Sequence, residues 1–164
     1  MNSDELMENI EGAELEDAEE LDQEQYFKYL IFSVHDIRYA LSAEAVREIS
    51  LEDELYYIPF VPPYVRGIIN RHGEPYTVID VRVLFENKKT DIHSYLVLGY
   101  RDRQSALCIS DVSEIRRIAE SKIHEISSSD EEYRFFTHSL SFEGERIFVL
   151  HLEAIMQRLK DDVE

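Results

Sequence analysis

The stretch from Ile58 to Phe85, IPFVPPYVRGIINRHGEPYTVIDVRVLF, makes the heaviest backbone demands in the chain. Three of the four prolines open it, two of the five glycines punctuate its middle, and its second half is an apolar run closed by Asp80. Pro59, Pro62 and Pro63 remove amide donors and fix φ, so residues 58–63 cannot be a central strand and read as a stiff edge segment. Gly67 and Gly73 bracket Ile68, Ile69 and Asn70. Arg71-His72-Gly73-Glu74 then has the composition of a hairpin turn returning into Tyr76, Thr77, Val78 and Ile79. The expectation is a buried hairpin entered through a proline arm, with Asp80 capping a short helix over Val81–Phe85.

Upstream, Tyr29–Val34 and Ile37–Leu41 read as strands joined by a turn at His35-Asp36, and Ser42 is placed to cap one helical turn over Ala43–Ala45. Beyond it Val46, Glu48 and Ser50 alternate with Arg47, Ile49 and Leu51, so Val46 and Glu48 share the outer side of a strand and point away from Ile49. The polar segment 86–91 reads as the boundary between two halves. Tyr95–Tyr100, Gln104–Ile109 and Asp111–Ile118 follow as strands, 119–132 as a long loop, and Tyr133–Phe142 with Glu145–Leu150 as a hairpin. A helix over Leu152–Lys160 ends the chain, its stripe of Leu152, Ile155, Met156 and Leu159 being core packing. Two hairpin-led halves of similar length argue for two similar small barrels.

Composition excludes several classes. A chain of 164 residues with 44% hydrophobic content can build a core. No apolar run approaches the ~20 residues of a membrane span, and the N-terminus is acidic, so direct membrane insertion is not expected and a cytoplasmic location is. The single cysteine, Cys108, cannot form an internal disulfide and reads as an inert core thiol. Residues 1–25 hold eleven Asp or Glu and no Lys or Arg, leaving −7 of the net −18 on the rest. Such a segment reads as a disordered, solvated acidic tail, although Leu6, Ile10 and Ala13 share a helical face that a partner could use. A net negative body repels phosphate backbones, so no nucleic-acid partner is expected; Tyr56, Tyr57 and Tyr64 lie near only Arg66 and Arg71.

Catalytic signatures are missing. The six histidines form no metal-ligand spacing, there is no phosphate-binding glycine loop, and the serines at 127–129 have no adjacent base. His72, Glu74 and Asp80 could meet across the hairpin to hold a metal, but Asp80 already has a helix to cap. The chain is therefore expected to have no catalytic residue, no metal and no cofactor, and to act through surfaces.

The order Ile-Pro, Val-Pro, Tyr64-Val-Arg-Gly-Ile-Ile-Asn, Gly73, Val78-Ile-Asp-Val-Arg and Leu84-Phe resembles the CheW-like adaptor domain of bacterial chemotaxis, over roughly residues 26–160. The resemblance implies an all-β fold: two SH3-like five-stranded barrels with short helices and a C-terminal helix. It also implies non-catalytic coupling. One surface docks on the regulatory domain of the chemotaxis histidine kinase, and the groove between barrels receives the cytoplasmic tip of a chemoreceptor. Carried over position by position, Val46 and Glu48 match exposed strand positions, Gly67 and Gly73 the hairpin glycines, and Val112 and Ile115 apolar groove positions. Gly67 and Gly73 have a second explanation in backbone geometry alone. His72 stands where the family has arginine, so Glu48 is expected to face His72 weakly while Arg71 restores part of the charge. Ser110 and His151 also depart from the family's pattern.

Overall fold

The computed structural model describes residues 24–51, 54–99, 103–127 and 129–163. The reading of the acidic tail falls on residues 1–23 and lies outside them. Among these residues eleven strands and two α-helices follow in order: β1 Tyr26–Val34, β2 Ile37–Ser42, β3 Val46–Ser50, β4 Val65–Arg71, β5 Glu74–Ile79, α1 Val81–Glu86, β6 Ser94–Leu98, β7 Ser105–Ile109, β8 Asp111–Ala119, β9 Ile123–Glu125, β10 Phe136–Phe142, β11 Glu145–Leu150 and α2 Leu152–Val163. They form a six-stranded sheet, β8-β1-β2-β11-β10-β9, and a five-stranded sheet, β3-β6-β7-β5-β4. The all-β expectation of two small barrels holds, with the short β9 as a sixth strand inside the expected long loop.

Strand periodicity explains why there are three cores. In β1, Tyr29 and Ile31 point into the six-stranded barrel with Ala40, Ile118, Leu140 and Ile147, while Leu30, Phe32 and Val34 point the other way. In β6 and β7, Tyr95, Val97, Ala106 and Cys108 fill the five-stranded barrel, while Leu96, Leu98, Leu107 and Ile109 point out of it. The two outward sets meet in one shared core, closed from a third side by Ile155, Met156 and Leu159 of α2. Strands buried on both faces read as continuous apolar runs, and burial of each large side chain stabilises by about 1.5–3 kcal/mol. Cys108 packs in the five-stranded barrel, where burial holds its thiol protonated.

The polar segment 86–91 is not where the two sheets divide. Sheet membership changes after Ser42 and again at Ser110, because β2 pairs in parallel with β11 and β5 with β7. The six-stranded sheet thus takes its strands from both ends of the chain, around a middle segment that forms the other. Ser42 precedes the short turn 43–45 but makes no side-chain cap. Asp80 does cap α1, accepting from the amides of Arg82 and Val83. α1 then delivers Phe85 onto Phe136, with ring centroids 5.2 Å apart, beside Tyr39 stacked on Phe136 at 6.0 Å.

Burial, with Glu86 second, pushes the Tyr39 hydroxyl up to about 12. The neutral phenol is the form favoured by folding, so its contribution is complete below the ordinary tyrosine value near 10 and is lost as pH rises through about 12. Tyr39→Phe is expected to flatten the alkaline fall of the urea midpoint over that window.

Candidate docking site

The β4–β5 hairpin turns on His72 and Gly73, with φ of 54° and 81°, between the paired residues Arg71 and Glu74. Two successive positive φ values are what a right-handed twisted two-residue hairpin requires, and glycine meets the second without strain. Glu48 reaches this tip from β3. Its Oε1 accepts from Arg71 Nε at 2.7 Å, and its Oε2 lies 3.4 Å from His72 Nε2. β3 and β4 occupy opposite ends of the five-stranded sheet, so this cluster lies across the seam where the sheet curls closed. The same seam is closed by Arg47 Nη1 donating to the Tyr76 hydroxyl at 3.1 Å and by a backbone bridge between Tyr56 and Ile68.

Gly67 belongs to that bridge. Its φ is +145°, and a Cβ there would lie 2.3 Å from the Tyr56 carbonyl oxygen. The glycine lets the strand-like approach of residue 56 cross directly over β4, which is a reason of backbone geometry. Gly73 has open space around it, so only its φ asks for glycine.

Arg71 dominates Glu48. The hydrogen bond from Arg71 comes first in holding the carboxyl below its usual range, against a smaller opposing effect of burial and ahead of His72. A depressed carboxylate contributes stability above its ordinary value, near 4.3, and loses it as pH falls through its folded value. Glu48→Gln is therefore expected to remove one component of acid destabilisation below about pH 4 and to move the His72 ring resonances. All three side chains are partly exposed, so the cluster adds little to stability.

A bulge corrects the reading of β3. Val46 pairs with Leu98 and Glu48 with Val97, leaving Arg47 as the extra residue. Val46 consequently lies on the shared-core side with Leu98, and Glu48 on the barrel side with Val97: opposite faces, not one. Both are half-buried, whereas Ile49, expected inside, is 40% exposed. On β8 a second bulge at Ser113 has the opposite result, since Val112 pairs with Phe32 and Ile115 with Leu30. Three positions apart, Val112 and Ile115 share the face that looks onto the shared core. Val112 packs against it and Ile115 is 55% exposed at its margin.

Of the positions singled out in the sequence, the fold joins Glu48, Arg71, His72 and Gly73 at one hairpin tip. It sets Val46, Val112 and Ile115 around the rim of the shared core, and it leaves Gly67 as a structural residue. The metal triad dissolves, because Asp80 is fully buried with Arg66 Nη1 at 2.8 Å and the Thr90 hydroxyl at 2.6 Å. The aromatic nucleic-acid face dissolves too: Tyr64 is buried and its hydroxyl donates to Asp162 at 2.5 Å. Sequence reasoning missed the proline arm's tip, where Phe60 is wholly exposed at φ 59° beside exposed Tyr57. An aromatic between prolines that fix it outward was the available signal.

The sequence model of the CheW-like domain matches residues 28–160. The chain belongs to the CheW-like family. It is 24% identical over 144 residues to chemotaxis protein CheW of Helicobacter pylori, covering 84% of this chain and 86% of that one. It is 30% identical over 99 residues to chemotaxis protein CheW of Bacillus subtilis, an alignment that takes in 58% of this chain and spans only 64% of the Bacillus protein. The crystal structure of the scaffolding protein TtCheW from Thermoanaerobacter tengcongensis superposes with a TM-score of 0.69 at 21% identity, over 77% of this chain and 90% of that chain, and so shares its fold. No helix among the described residues is long and apolar enough to cross a membrane.

Proposed function

We propose that this chain is a non-catalytic chemotaxis adaptor that holds a chemoreceptor tip and the regulatory domain of the chemotaxis histidine kinase in one assembly, so that receptor state alters kinase activity through differential contacts. The observation that carries the reading is the rim of the shared core. Val112 and Ile115 are brought onto one face by a bulge, and the larger one, Ile115, is left 55% exposed. An exposed apolar side chain at the margin of the core shared by the two barrels suits an apolar helical hairpin, while Glu48 and Arg71 at the seam set orientation for a second partner. Both faces rest on a rigid framework, so binding one partner needs no ordering of the other face. The protein performs no reaction; affinity for two partners at once is its output.

Binding of the full chain to a receptor-tip peptide and to the kinase regulatory domain, each measured alone, tests the reading. Ile115→Asp is expected to weaken the receptor peptide at least about tenfold and to spare the kinase domain, and Glu48→Lys to do the reverse. If both substitutions act on the same partner, or neither partner binds the unaltered chain, the two-face reading fails.

A further inference from the structure

Five of the ten large hydrophobic side chains left exposed among the described residues, Ile49, Leu51, Tyr56, Tyr57 and Phe60, fall within twelve residues of sequence. They follow Glu48 along the end of β3 and lead into the proline arm. Tyr56 and Ile68 exchange backbone hydrogen bonds of 2.8 Å, which pin this segment to β4 three residues before Arg71. The apolar patch is therefore continuous with the polar cluster at the seam.

Phe60 is the most exposed point of that patch. The other non-glycine residues at positive φ each have a structural reason: His35, His72 and Glu143 turn hairpins, and Asn87 ends α1. Phe60, at φ 59°, turns no hairpin, ends no helix and packs in none of the three cores, and a bulky side chain disfavours that backbone. Pro59, Pro62 and Pro63 stiffen the chain on both sides of it, and the Val65 amide donates to the Pro62 carbonyl at 2.9 Å. Beside the ring lies a groove of about 280 Å³, walled by Tyr57, Val61 and Pro62. Its charged groups are Arg66 and Lys89, and no carboxylate of a described residue lines it. Arg66 is held by Asp80, whereas Lys89 has no ion-pair partner among the described residues.

Affinity in protein interfaces comes from a few buried aromatic anchors ringed by polar groups. Glu48, Arg71 and His72 can set the angle of a partner, but that cluster contains no apolar anchor. We propose that Phe60 is the anchor: it enters an apolar socket on the kinase regulatory domain, with Tyr57 beside it and Lys89 facing a carboxylate at the socket's edge. This rests on the adaptor reading and supplies the apolar half of its kinase-docking face. Because the prolines order the arm in advance, docking costs little conformational freedom.

The test measures binding of the full chain to the isolated kinase regulatory domain, together with urea unfolding of the same variants. Phe60→Asn is expected to weaken kinase-domain binding at least about tenfold and to leave the receptor-tip peptide unaffected. Its urea midpoint should hold or rise, since asparagine adopts positive φ more readily than phenylalanine. Phe60→Tyr keeps the ring and should bind within about twofold of the unaltered chain, while Lys89→Glu should lose about fivefold, and less at high salt. Kinase-domain binding by Phe60→Asn within about twofold of the unaltered chain overturns the proposal. So does a loss accompanied by a lower midpoint, which would give Phe60 a structural role, and so does a loss confined to the receptor peptide. An unaltered chain that fails to bind the kinase domain overturns the adaptor reading itself, and this inference falls with it.

Discussion

Asp80→Ala is expected to cost about 3–5 kcal/mol of unfolding free energy, the range for removing one partner of a buried ion pair. Asp80 is fully buried and gathers donors from three segments. Oδ2 accepts from Arg66 Nη1 at 2.8 Å and from the Thr90 amide at 2.8 Å, while Oδ1 accepts from the Thr90 hydroxyl at 2.6 Å and the Arg82 amide at 3.0 Å. Alanine would leave Arg66, whose side chain is 19% exposed, without its counter-charge and would remove the cap of α1, itself worth about 1 kcal/mol. Asp80→Asn keeps the shape and one acceptor oxygen, so its loss should be smaller. Urea unfolding reads both as a fall in midpoint with an unchanged slope. A midpoint for Asp80→Ala within error of the unaltered chain would remove the carboxylate from its place as the joint between hairpin, helix and the 87–93 segment.

Gly67→Ala is the second large effect. A Cβ 2.3 Å from the Tyr56 carbonyl oxygen meets backbone, which cannot swing aside as a flexible side chain would, and φ of +145° is strained for alanine in any case. Overpacking of this kind costs about 1–3 kcal/mol, and the backbone strain adds a similar amount. The cheapest relief is to part residue 56 from β4. Amide exchange of Tyr56 and Ile68, which donate to each other's carbonyls at 2.8 Å, should then accelerate well ahead of the Cys108 region. Protection of that pair surviving in Gly67→Ala would mean that something other than the close approach demands glycine. Gly73→Ala, with empty space around it, should cost only about 1–2 kcal/mol.

Local patterns carried the strands, the three two-residue turns and both helices, because each is decided by neighbours in sequence. The turns expected at His35, His72 and Glu143 are present, and all three residues take positive φ. A single-residue bulge defeated the period-2 reading of β3, where an extra residue at Arg47 split Val46 from Glu48. A second, at Ser113, puts Val112 and Ile115 on one face; neither leaves a mark in an alternation pattern, since each depends on the partner strand. Tyr64 read as a surface aromatic because its acceptor, Asp162, lies at the far end of the chain. Glu48 was expected to face His72 with Arg71 assisting, and the structure reverses the order, Arg71 being the nearer by 2.7 Å against 3.4 Å. The sequence resemblance supplied the list of positions, but only the register says which of them can touch a common partner.

The six-stranded sheet has a consequence for how this protein comes into being on the ribosome. Its opening hairpin, β1 and β2, emerges first yet finds its lateral neighbours only after Asp111 and Glu145 have been synthesised. Until then the apolar side of Tyr29, Ile31 and Ala40, which packs on Ile118, Leu140 and Ile147, has nothing to cover it, and nascent chains should call on chaperones through most of translation. By the same logic a stop codon or proteolytic nick between the two sheets' segments should yield no half-functional fragment: the polypeptide matures as a whole or not at all.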